Sequence, residues 1–199
     1  MWLTTNNGLV SFQPATGAMK VYTTANGLLG EQFNYRSSFE TEDGTIYLGS
    51  IDGFVAFNPK NFSENKSLPS IVITDFLLFG KEVYPGDPSS PLKKSINFLD
   101  ELVLQPDQNS FSFRVAALDF QAPRMNQIMY KLDGFDDEWL PVGESPVVSY
   151  SNLWYGNYTF RVKASNSDGV WNENEVSLIV RILPPFYLTI WAYCVYVLL

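Results

Sequence analysis

The stretch YSNLWYGNYTFRVKASNSDGVWN (Tyr150–Asn172) places three tyrosines, two tryptophans and two turn signals in one short segment. It could form an aromatic binding face, or it could form one corner of a folded β-domain. From Tyr158 onward apolar and polar side chains alternate, which predicts a strand with one face in a core and the other in water. Gly156 allows the sharp turn that precedes this strand. We therefore predict that most of these rings belong to the fold, with the binding face as the alternative.

The spacing L-x-x-G-x-Y-x-F-x-V-x-A, which starts at Leu153, is typical of a tyrosine corner. In this motif, a tyrosine near the start of a late strand bonds back to the upstream backbone. Tyr158 is the predicted corner tyrosine, and Leu153 is expected beneath it. Trp139 and Trp171 stand at predicted loop ends, where large apolar side chains usually plug the core of a sandwich. These residues are predicted to be structural.

Strand-like runs continue through the whole second part of the chain, from Ile71 to about Leu183. There are seven such runs with turn signals between them: IVITDFLLFG, ELVLQP, SFSFRVAAL, QIMYKLDG, PVVSYSNL, NYTFRVKASN and VSLIVRIL. The polar segment SENKSLPS precedes the first run. This pattern predicts an immunoglobulin-like or fibronectin III-like β-sandwich over residues 69–183.

The first part of the chain contains a repeat. WLTTNNGLVSFQP (Trp2–Pro14) aligns with YLGSIDGFVAFNP (Tyr47–Pro59), and each copy has two alternating strands joined by a turn that ends in glycine. Their separation suits the blades of a β-propeller. We predict about one blade plus part of another over residues 1–62. Because one blade leaves unpaired strand edges and a one-sided core, further blades are expected upstream.

The last part of the chain is apolar, and no charged residue occurs from Ile182 to Leu199. As a helix, YLTIWAYCVYVLL (Tyr187–Leu199) would rise roughly 20 Å, short of the roughly 30 Å hydrocarbon core of a bilayer. We predict that residues 184–199 are the start of a transmembrane helix that the fragment truncates. The alternative is a buried strand or helix of a soluble domain. The aromatic residues of this opening suit the interfacial belt of a membrane: Phe186, Tyr187, Trp191 and Tyr193.

Composition argues against several kinds of function. The net charge is -8 without a basic cluster, so nucleic acid is not an expected partner. The chain has no histidine, which removes the commonest general base and zinc ligand as well as any phospho-accepting histidine. Its one cysteine, Cys194, allows no intrachain disulfide. We predict no catalytic residues, no metal and no cofactor in this chain.

One acidic segment, DGFDDEW, is a candidate metal site. Its carboxylates could bind Ca²⁺, but the spacing of the twelve-residue calcium loop is missing, and a solvated acidic turn is the preferred interpretation. No spacing singles out a pair of carboxylates for glycoside hydrolysis.

Two segments carry a resemblance to a known family. TTANGLLGEQFNYRSSFETEDGTIYLGSIDGFVAFNPKNF looks like the last blade of the sensor propellers in hybrid two-component regulators of glycan-degrading bacteria. YKLDGFDDEW followed by SYSNLWYGNYTFRVKASNSDGVWN closely resembles the three-tyrosine (Y_Y_Y) domain that follows those propellers. The motif of that domain falls on these positions: Tyr130, Tyr150, Tyr158, Gly134, Gly156, Gly169, Trp139 and Trp171.

The resemblance implies the membrane-proximal, extracytoplasmic part of a sensor histidine kinase or hybrid regulator. It implies a homodimer on the periplasmic side of the bacterial inner membrane, a single membrane span in the full-length protein, and an oligosaccharide bound on the missing part of the propeller or at its interface. The kinase would lie outside this fragment. The residues themselves support a relay, because Pro184 and Pro185 stiffen the connection to the apolar run. The alternative is a carbohydrate-binding or adhesion module without signalling, with Trp154 and Tyr155 at the corner's loop tip as weak ligand-binding candidates.

Overall fold

The structure, a computed structural model, describes residues 1–62, 65–119, 122–143, 145–188, 192 and 194. It divides into two compact units. One contains Met1–Ser67 with Phe120–Met125, and the other contains Leu68–Asp119 with Asn126–Leu199. The boundary between the two units, between Ser67 and Leu68, falls in the polar segment SENKSLPS.

The first unit contains two antiparallel sheets of three strands each. The first sheet consists of β1 (Trp2–Thr5), β2 (Gly8–Gln13) and β3 (Ala18–Tyr22), and the second of β4 (Phe33–Glu40), β5 (Ile46–Ser50) and β6 (Gly53–Phe57). Short 3-10 helices lie at Thr24–Asn26, Pro59–Asn61 and Pro123–Met125. The pairing of β4 with β5 shifts register between Phe33 and Ser38, so β4 contains an irregular segment.

The sequence repeat is reproduced in the strand register. Leu3 lies opposite Val10 across β1 and β2, and the repeat-equivalent Leu48 lies opposite Val55 across β5 and β6. Among the described residues, the first sheet has no equivalent of β4 and the second has none of β3. Each sheet therefore resembles three of the four strands of a propeller blade.

An aromatic cluster joins the two sheets of the first unit. The ring of Trp2 on β1 lies 4.6 Å from the ring of Phe57 on β6 and 5.0 Å from that of Phe62, measured between centroids. Several large apolar side chains of this unit are nevertheless exposed: Met19, Leu29, Tyr35, Phe39, Ile51 and Phe54. The core of this unit is therefore one-sided.

The second unit is a sandwich of two sheets. Its strands are β7 (Ser70–Leu78), β8 (Lys81–Glu82), β9 (Glu101–Leu104), β10 (Phe111–Leu118), β11 (Gln127–Asp133), β12 (Leu140–Pro141), β13 (Val147–Tyr150), β14 (Gly156–Ser165) and β15 (Val176–Ile182), with 3-10 helices at Ile96–Phe98 and Phe186–Leu188. The four-stranded sheet has the order β13-β10-β7-β8, and the five-stranded sheet has the order β12-β11-β14-β15-β9.

All seven predicted strands of the sandwich are present, together with two that the sequence did not predict. The additional strands, β8 and β12, have two residues each, which is too short for an alternating pattern to show. The sequence also did not predict that β9 and β15 pair in parallel, with Leu102 opposite Val180. The other strand pairs of the sandwich are antiparallel.

The core lies between the two sheets, as the alternation in β14 predicts. Phe160, Val162 and Ala164 of β14 are buried, and the ring of Phe160 stacks on that of Phe113 from β10 at a centroid distance of 4.5 Å. Because β10 and β14 belong to different sheets, this stack ties the two layers together. The remaining core includes the following buried side chains: Ile71, Ile73, Phe76, Leu92, Leu102, Leu104, Phe111, Leu132, Val148, Leu178, Val180 and Ile182.

The predicted start of a transmembrane helix at 184–199 lies mostly outside the described residues, including Trp191 and Tyr193. Pro184 and Pro185 lead directly from β15 into the 3-10 helix Phe186–Leu188. Within the described part of the chain, no helix has the length and apolar character needed to cross a membrane.

Candidate functional site at the end of the sandwich where the chain exits

Tyr150 lies at the centre of an aromatic cluster between the two sheets. Its side chain is 6% exposed. Its ring contacts those of Phe111, Phe135, Tyr130 and Phe160, with centroid distances from 5.8 to 6.4 Å. Tyr150 ends β13, so the cluster marks the end of the sandwich at which this strand stops.

The hydroxyl of Tyr150 donates a hydrogen bond to Oδ2 of Asp136 over 2.9 Å. Burial, and then this bond to a carboxylate, raise the pKa of Tyr150 above its usual value near 10. The same Asp136 oxygen accepts a bond from the backbone N–H of Leu132 over 2.8 Å, so Asp136 closes the turn that follows β11. Burial also raises the pKa of Tyr130, and the charge of Asp136 adds to this effect.

Gly134 begins that turn and packs against the ring of Tyr158. Its backbone has φ +93°, and a Cβ at this position would lie 3.2 Å from Cδ1 of Tyr158. A glycine is therefore favoured here both by conformation and by space. This contact joins the two segments that carry the motif, YKLDGFDDEW with Gly134 and SYSNLWYGNYTFRVKASNSDGVWN with Tyr158.

Tyr158 has the geometry of a tyrosine corner. Its hydroxyl donates a hydrogen bond to the backbone carbonyl of Trp154, four residues upstream, over 3.0 Å. Leu153 is buried beneath this corner, and its N–H donates to the carbonyl of Asn109 over 3.1 Å. Trp154 and Tyr155 are exposed at the loop tip. Their rings have centroids 5.4 Å apart and are tilted by 39°, so they do not form a coplanar platform.

Trp139 and Trp171 do not plug the core, which corrects the interpretation of these residues from the sequence. Lys163 points outward from β14, and its Nζ lies 4.3 Å from the ring centroid of Trp139 and 5.6 Å from that of Trp171. The guanidinium of Arg161 lies 5.3 Å from the ring of Trp139. The two tryptophans therefore cover cationic side chains on the outer face of the five-stranded sheet. Their position next to loops did not distinguish the inner from the outer face.

Gly169 lies in the turn between β14 and β15, at the opposite end of β14 from Tyr158. Its φ is +78°, and its N–H donates to the carbonyl of Asn166 over 3.0 Å. The motif residues are thus spread along the sandwich. Tyr150, Tyr158, Gly134, Gly156 and Leu153 lie near the end where β15 stops. Tyr130 lies opposite Val162 of β14, level with the first residue of β15, and Trp139, Trp171 and Gly169 lie along or beyond the outer face.

The last strand of the sandwich is held on both of its edges. Gly156 of β14 lies opposite Ile182 on one edge, and Leu104 of β9 lies opposite Ile182 on the other. One residue later, the N–H of Leu183 donates to the carbonyl of Leu104 over 2.9 Å. Pro184 follows immediately, so the chain leaves the sandwich from a strand that is paired up to its end.

The acidic segment that begins at Asp133, the last residue of β11, is used for contacts within the fold. Asp136 binds Tyr150 and Leu132, and Asp133 forms ion pairs with Lys131 and Arg161 at 3.6 and 3.3 Å. Within the described residues, no group of three or more His, Cys, Asp or Glu side chains is placed to hold a metal ion. The sequence missed the role of Asp136. The available signal was the position of Asp136, two residues after Gly134, the glycine that ends a predicted strand.

Comparisons with known proteins agree with this arrangement. Residues 119–183 match the family model of the Y_Y_Y domain. The chain is 33% identical over 198 residues to Histidine kinase P4 of Formosa agariphila, and this match covers 100% of the chain and 14% of the kinase.

Two solved structures from B. thetaiotaomicron are also similar. The extracellular domain described as that of the hybrid two component system BT3049 matches with a TM-score of 0.76 and 27% identity over 92% of this chain and 24% of that one. The extracellular domain described as that of the one component system BT4673 matches with a TM-score of 0.55 and 27% identity over 93% of this chain and 24% of that one. The chain thus spans about a quarter or less of the length of these relatives.

The fold and these matches define the class of protein: the chain resembles the extracellular sensor regions of two-component systems. The resemblance inferred from the sequence is confirmed, as is the predicted order of a partial propeller followed by an immunoglobulin-like sandwich. More particularly, the segment that matches the Y_Y_Y family model, residues 119–183, includes β11 to β15.

Proposed function

We propose that this chain is the membrane-proximal, extracytoplasmic part of a sensor histidine kinase or hybrid regulator, and that it relays ligand sensing from a propeller to a transmembrane helix. The observation that carries the proposal is the pairing of β15 on both edges up to Ile182, followed after Leu183 by Pro184 and Pro185. A strand fixed in this way cannot bend independently of the sheet, and two prolines restrict the next backbone angles. A displacement of the sandwich would therefore be passed to the segment that follows.

The proposed signal comes from the propeller. The apolar side chains exposed on the two three-stranded sheets support the presence of further blades in the full-length protein, because an open blade face of this kind is normally covered by its neighbour. We place an oligosaccharide ligand on those blades or at their interface. Ligand binding would favour one of two arrangements of a homodimer on the periplasmic side of the inner membrane, and the kinase on the other side would respond.

A flexible insertion tests the relay. A short Gly/Ser segment inserted after Leu183 of the full-length receptor should abolish the transcriptional or phosphorylation response to the inducing glycan, while the receptor remains in the membrane at normal levels. The same segment inserted after Gly86, in an exposed turn of the sandwich, is the matched control and should leave the response intact. An unchanged response with the first insertion would refute the relay.

A second candidate function is carbohydrate binding without signalling, which the exposure of Trp154 and Tyr155 favours. The tilt of 39° between these rings weakens this candidate, because stacking on a sugar favours a flat platform. Titration of the chain with oligosaccharides, monitored by tryptophan fluorescence in the wild type and in Trp154→Phe, separates the two functions. A saturable change that requires Trp154 would favour carbohydrate binding at this loop.

A further inference from the structure

Four aromatic side chains are exposed at the end of the sandwich where β15 stops. Trp154 and Tyr155 are 68% and 39% exposed, and Phe186 and Tyr187 are 81% and 48% exposed. They come from two loops that are distant in sequence. Within each loop the two rings are adjacent, with centroids 5.4 and 5.5 Å apart. Exposed aromatic rings gathered at one end of a domain indicate an interaction surface.

The two loops form one continuous surface. A cleft of about 340 Å³ lies between them, and its walls include Trp154, Tyr155, Pro185 and Tyr187. The third wall is the loop between β9 and β10, which contributes Pro106 and Asp107. We call this surface, formed by residues 105–110, 152–155 and 183–188, the exit surface.

The exit surface is held in place by hydrogen bonds to its backbone groups, one of them from the side chain of Tyr158. The carbonyl of Trp154 accepts from the hydroxyl of Tyr158, and the N–H of Leu153 donates to Asn109 of the neighbouring loop. The 3-10 turn is closed by the N–H of Leu188, which donates to the carbonyl of Pro185 over 2.9 Å. The exposed rings therefore project from a fixed frame.

The charge of the exit surface indicates what it contacts. Its three loops contain no lysine or arginine, and Asp107 is their one charged residue. Such a surface does not attract phosphate by charge, and three of its four rings, Trp154, Tyr155 and Tyr187, are amphipathic. Tyrosine and tryptophan are enriched where a protein meets the interface between lipid headgroups and acyl chains. The chain continues from this surface into the uncharged segment that ends at Leu199.

Building on the proposed attachment to a membrane helix, we propose that the exit surface sits on the lipid bilayer, with Trp154, Tyr155, Phe186 and Tyr187 in the interfacial region. The tyrosine corner would then position Trp154 at the membrane, next to the segment through which the chain leaves the sandwich. The sandwich would then contact the bilayer at two points, the membrane helix and the exit surface, instead of being attached by the helix alone. A second point of contact fixes the tilt of the sandwich relative to the helix, which a relay by rigid elements requires.

The lack of basic residues makes the proposal specific. Contact should not need anionic lipid, and it should persist at high salt, because the interaction depends on aromatic side chains at the interface. Vesicles of phosphatidylcholine are therefore a sufficient membrane.

The test measures the depth of Trp154 directly. The full-length receptor is reconstituted into phosphatidylcholine vesicles whose lipids carry bromine, a fluorescence quencher, on the acyl chain close to the headgroup. The fluorescence of Trp154 is obtained as the difference in emission between the wild type and Trp154→Phe. This difference is measured in brominated and in unbrominated vesicles, and the two values are compared. Trp139→Phe, on the outer face of the sheet, is the matched control.

The contribution of Trp154 should lose most of its intensity in brominated vesicles, equally at low and at high salt, and that of Trp139 should not change. Equal Trp154 emission in the two kinds of vesicle, with the chain still floating with the vesicles, would overturn the exit surface as a membrane contact while leaving the membrane helix in place. A full-length receptor that does not float with the vesicles would contradict both the membrane helix and this inference. A change in Trp154 emission caused by oligosaccharide without vesicles, together with no quenching by bromine, would overturn the inference in favour of a sugar site.

Discussion

Tyr150 and Asp136 connect the two layers of the sandwich by a hydrogen bond of 2.9 Å. Tyr150 ends β13 in the four-stranded sheet, whereas Asp136 follows β11 in the five-stranded sheet. The acceptor oxygen also receives the N–H of Leu132, so the bond acts on the backbone of β11 as well. One buried side chain thus ties both sheets together near the end from which the chain leaves the domain.

Replacing Tyr150 by phenylalanine should lower the free energy of unfolding of the chain by about 1.5–3 kcal/mol, the usual range for a hydrogen bond to a charged group. The ring and its packing are retained, so the loss reports the hydroxyl. Urea denaturation followed by circular dichroism measures the change.

The exposed bond between the Tyr84 hydroxyl and Glu82, at 2.6 Å, provides the control. Tyr84→Phe removes the same kind of interaction at the surface and should have no measurable effect, since water replaces the lost partner. Equal effects of the two substitutions would mean that the bond between the sheets has no special role.

Stability should fall as the solution becomes alkaline. The pKa of Tyr150 is raised in the folded state, first by burial and then by Asp136. Below about pH 10 the hydroxyl is protonated in both states, and its contribution is fully present. Above that pH the unfolded chain loses the proton and the folded chain keeps it, so the free energy of unfolding falls by up to about 1.4 kcal/mol per pH unit.

The dependence of stability on the ionisation of Tyr150 is tested by measuring the urea concentration at the midpoint of unfolding from about pH 9 to about pH 11. Tyr150→Phe should show a shallower decline than the wild type, because one raised tyrosine pKa has been removed. Parallel declines would show that Tyr150 does not titrate differently in the two states.

Gly134→Ala should destabilise the sandwich more than Gly169→Ala. Both glycines have positive φ, at +93° and +78°, so both substitutions impose backbone strain of about 1–3 kcal/mol. A Cβ on Gly134 would also lie 3.2 Å from the ring of Tyr158, whereas a Cβ on Gly169 would have no neighbour within 4 Å. Thermal unfolding of the two variants gives the comparison. Losses of equal size would mean that the Tyr158 ring moves aside without cost.

Replacing both Pro184 and Pro185 by glycine should weaken signalling without unfolding the sandwich. The prolines follow the last paired residue of β15, so the sheet hydrogen bonds remain, and the stability change should stay within about 1–2 kcal/mol. The glycan response of the full-length receptor should drop. A normal response would contradict a role for stiffness at this junction, and a large loss of stability would show that the prolines are needed for folding.

Much of the fold could be predicted because its signals are local. The alternation in β14 predicted which side chains enter the core, and Phe160, Val162 and Ala164 are buried accordingly. The repeat predicted paired hairpins, and Leu3 and Leu48 occupy equivalent positions in them. Strand alternation has a period of two residues and is therefore visible in any short segment.

The candidate site was harder to predict because its partners are distant in sequence. Asp136 belonged to a segment that looked like a solvated turn, and only its approach to Tyr150 gives it a role. Trp139 and Trp171 were expected in the core. Their partner Lys163 lies on the outer face of a strand, and nothing in the loops themselves indicated which face they would cover.

The sequence by itself determined seven of the nine strands of the sandwich, the inner and outer faces of β14 and the turns that need glycine, because each depends on the conformational preference or polarity of neighbouring residues. The tertiary structure alone decided the parallel pairing of β9 with β15, the bond from Tyr150 to Asp136 and the grouping of Trp154 with Tyr187 on one surface. Those features depend on which distant segments meet, and that is set by the packing of the two sheets around a common core.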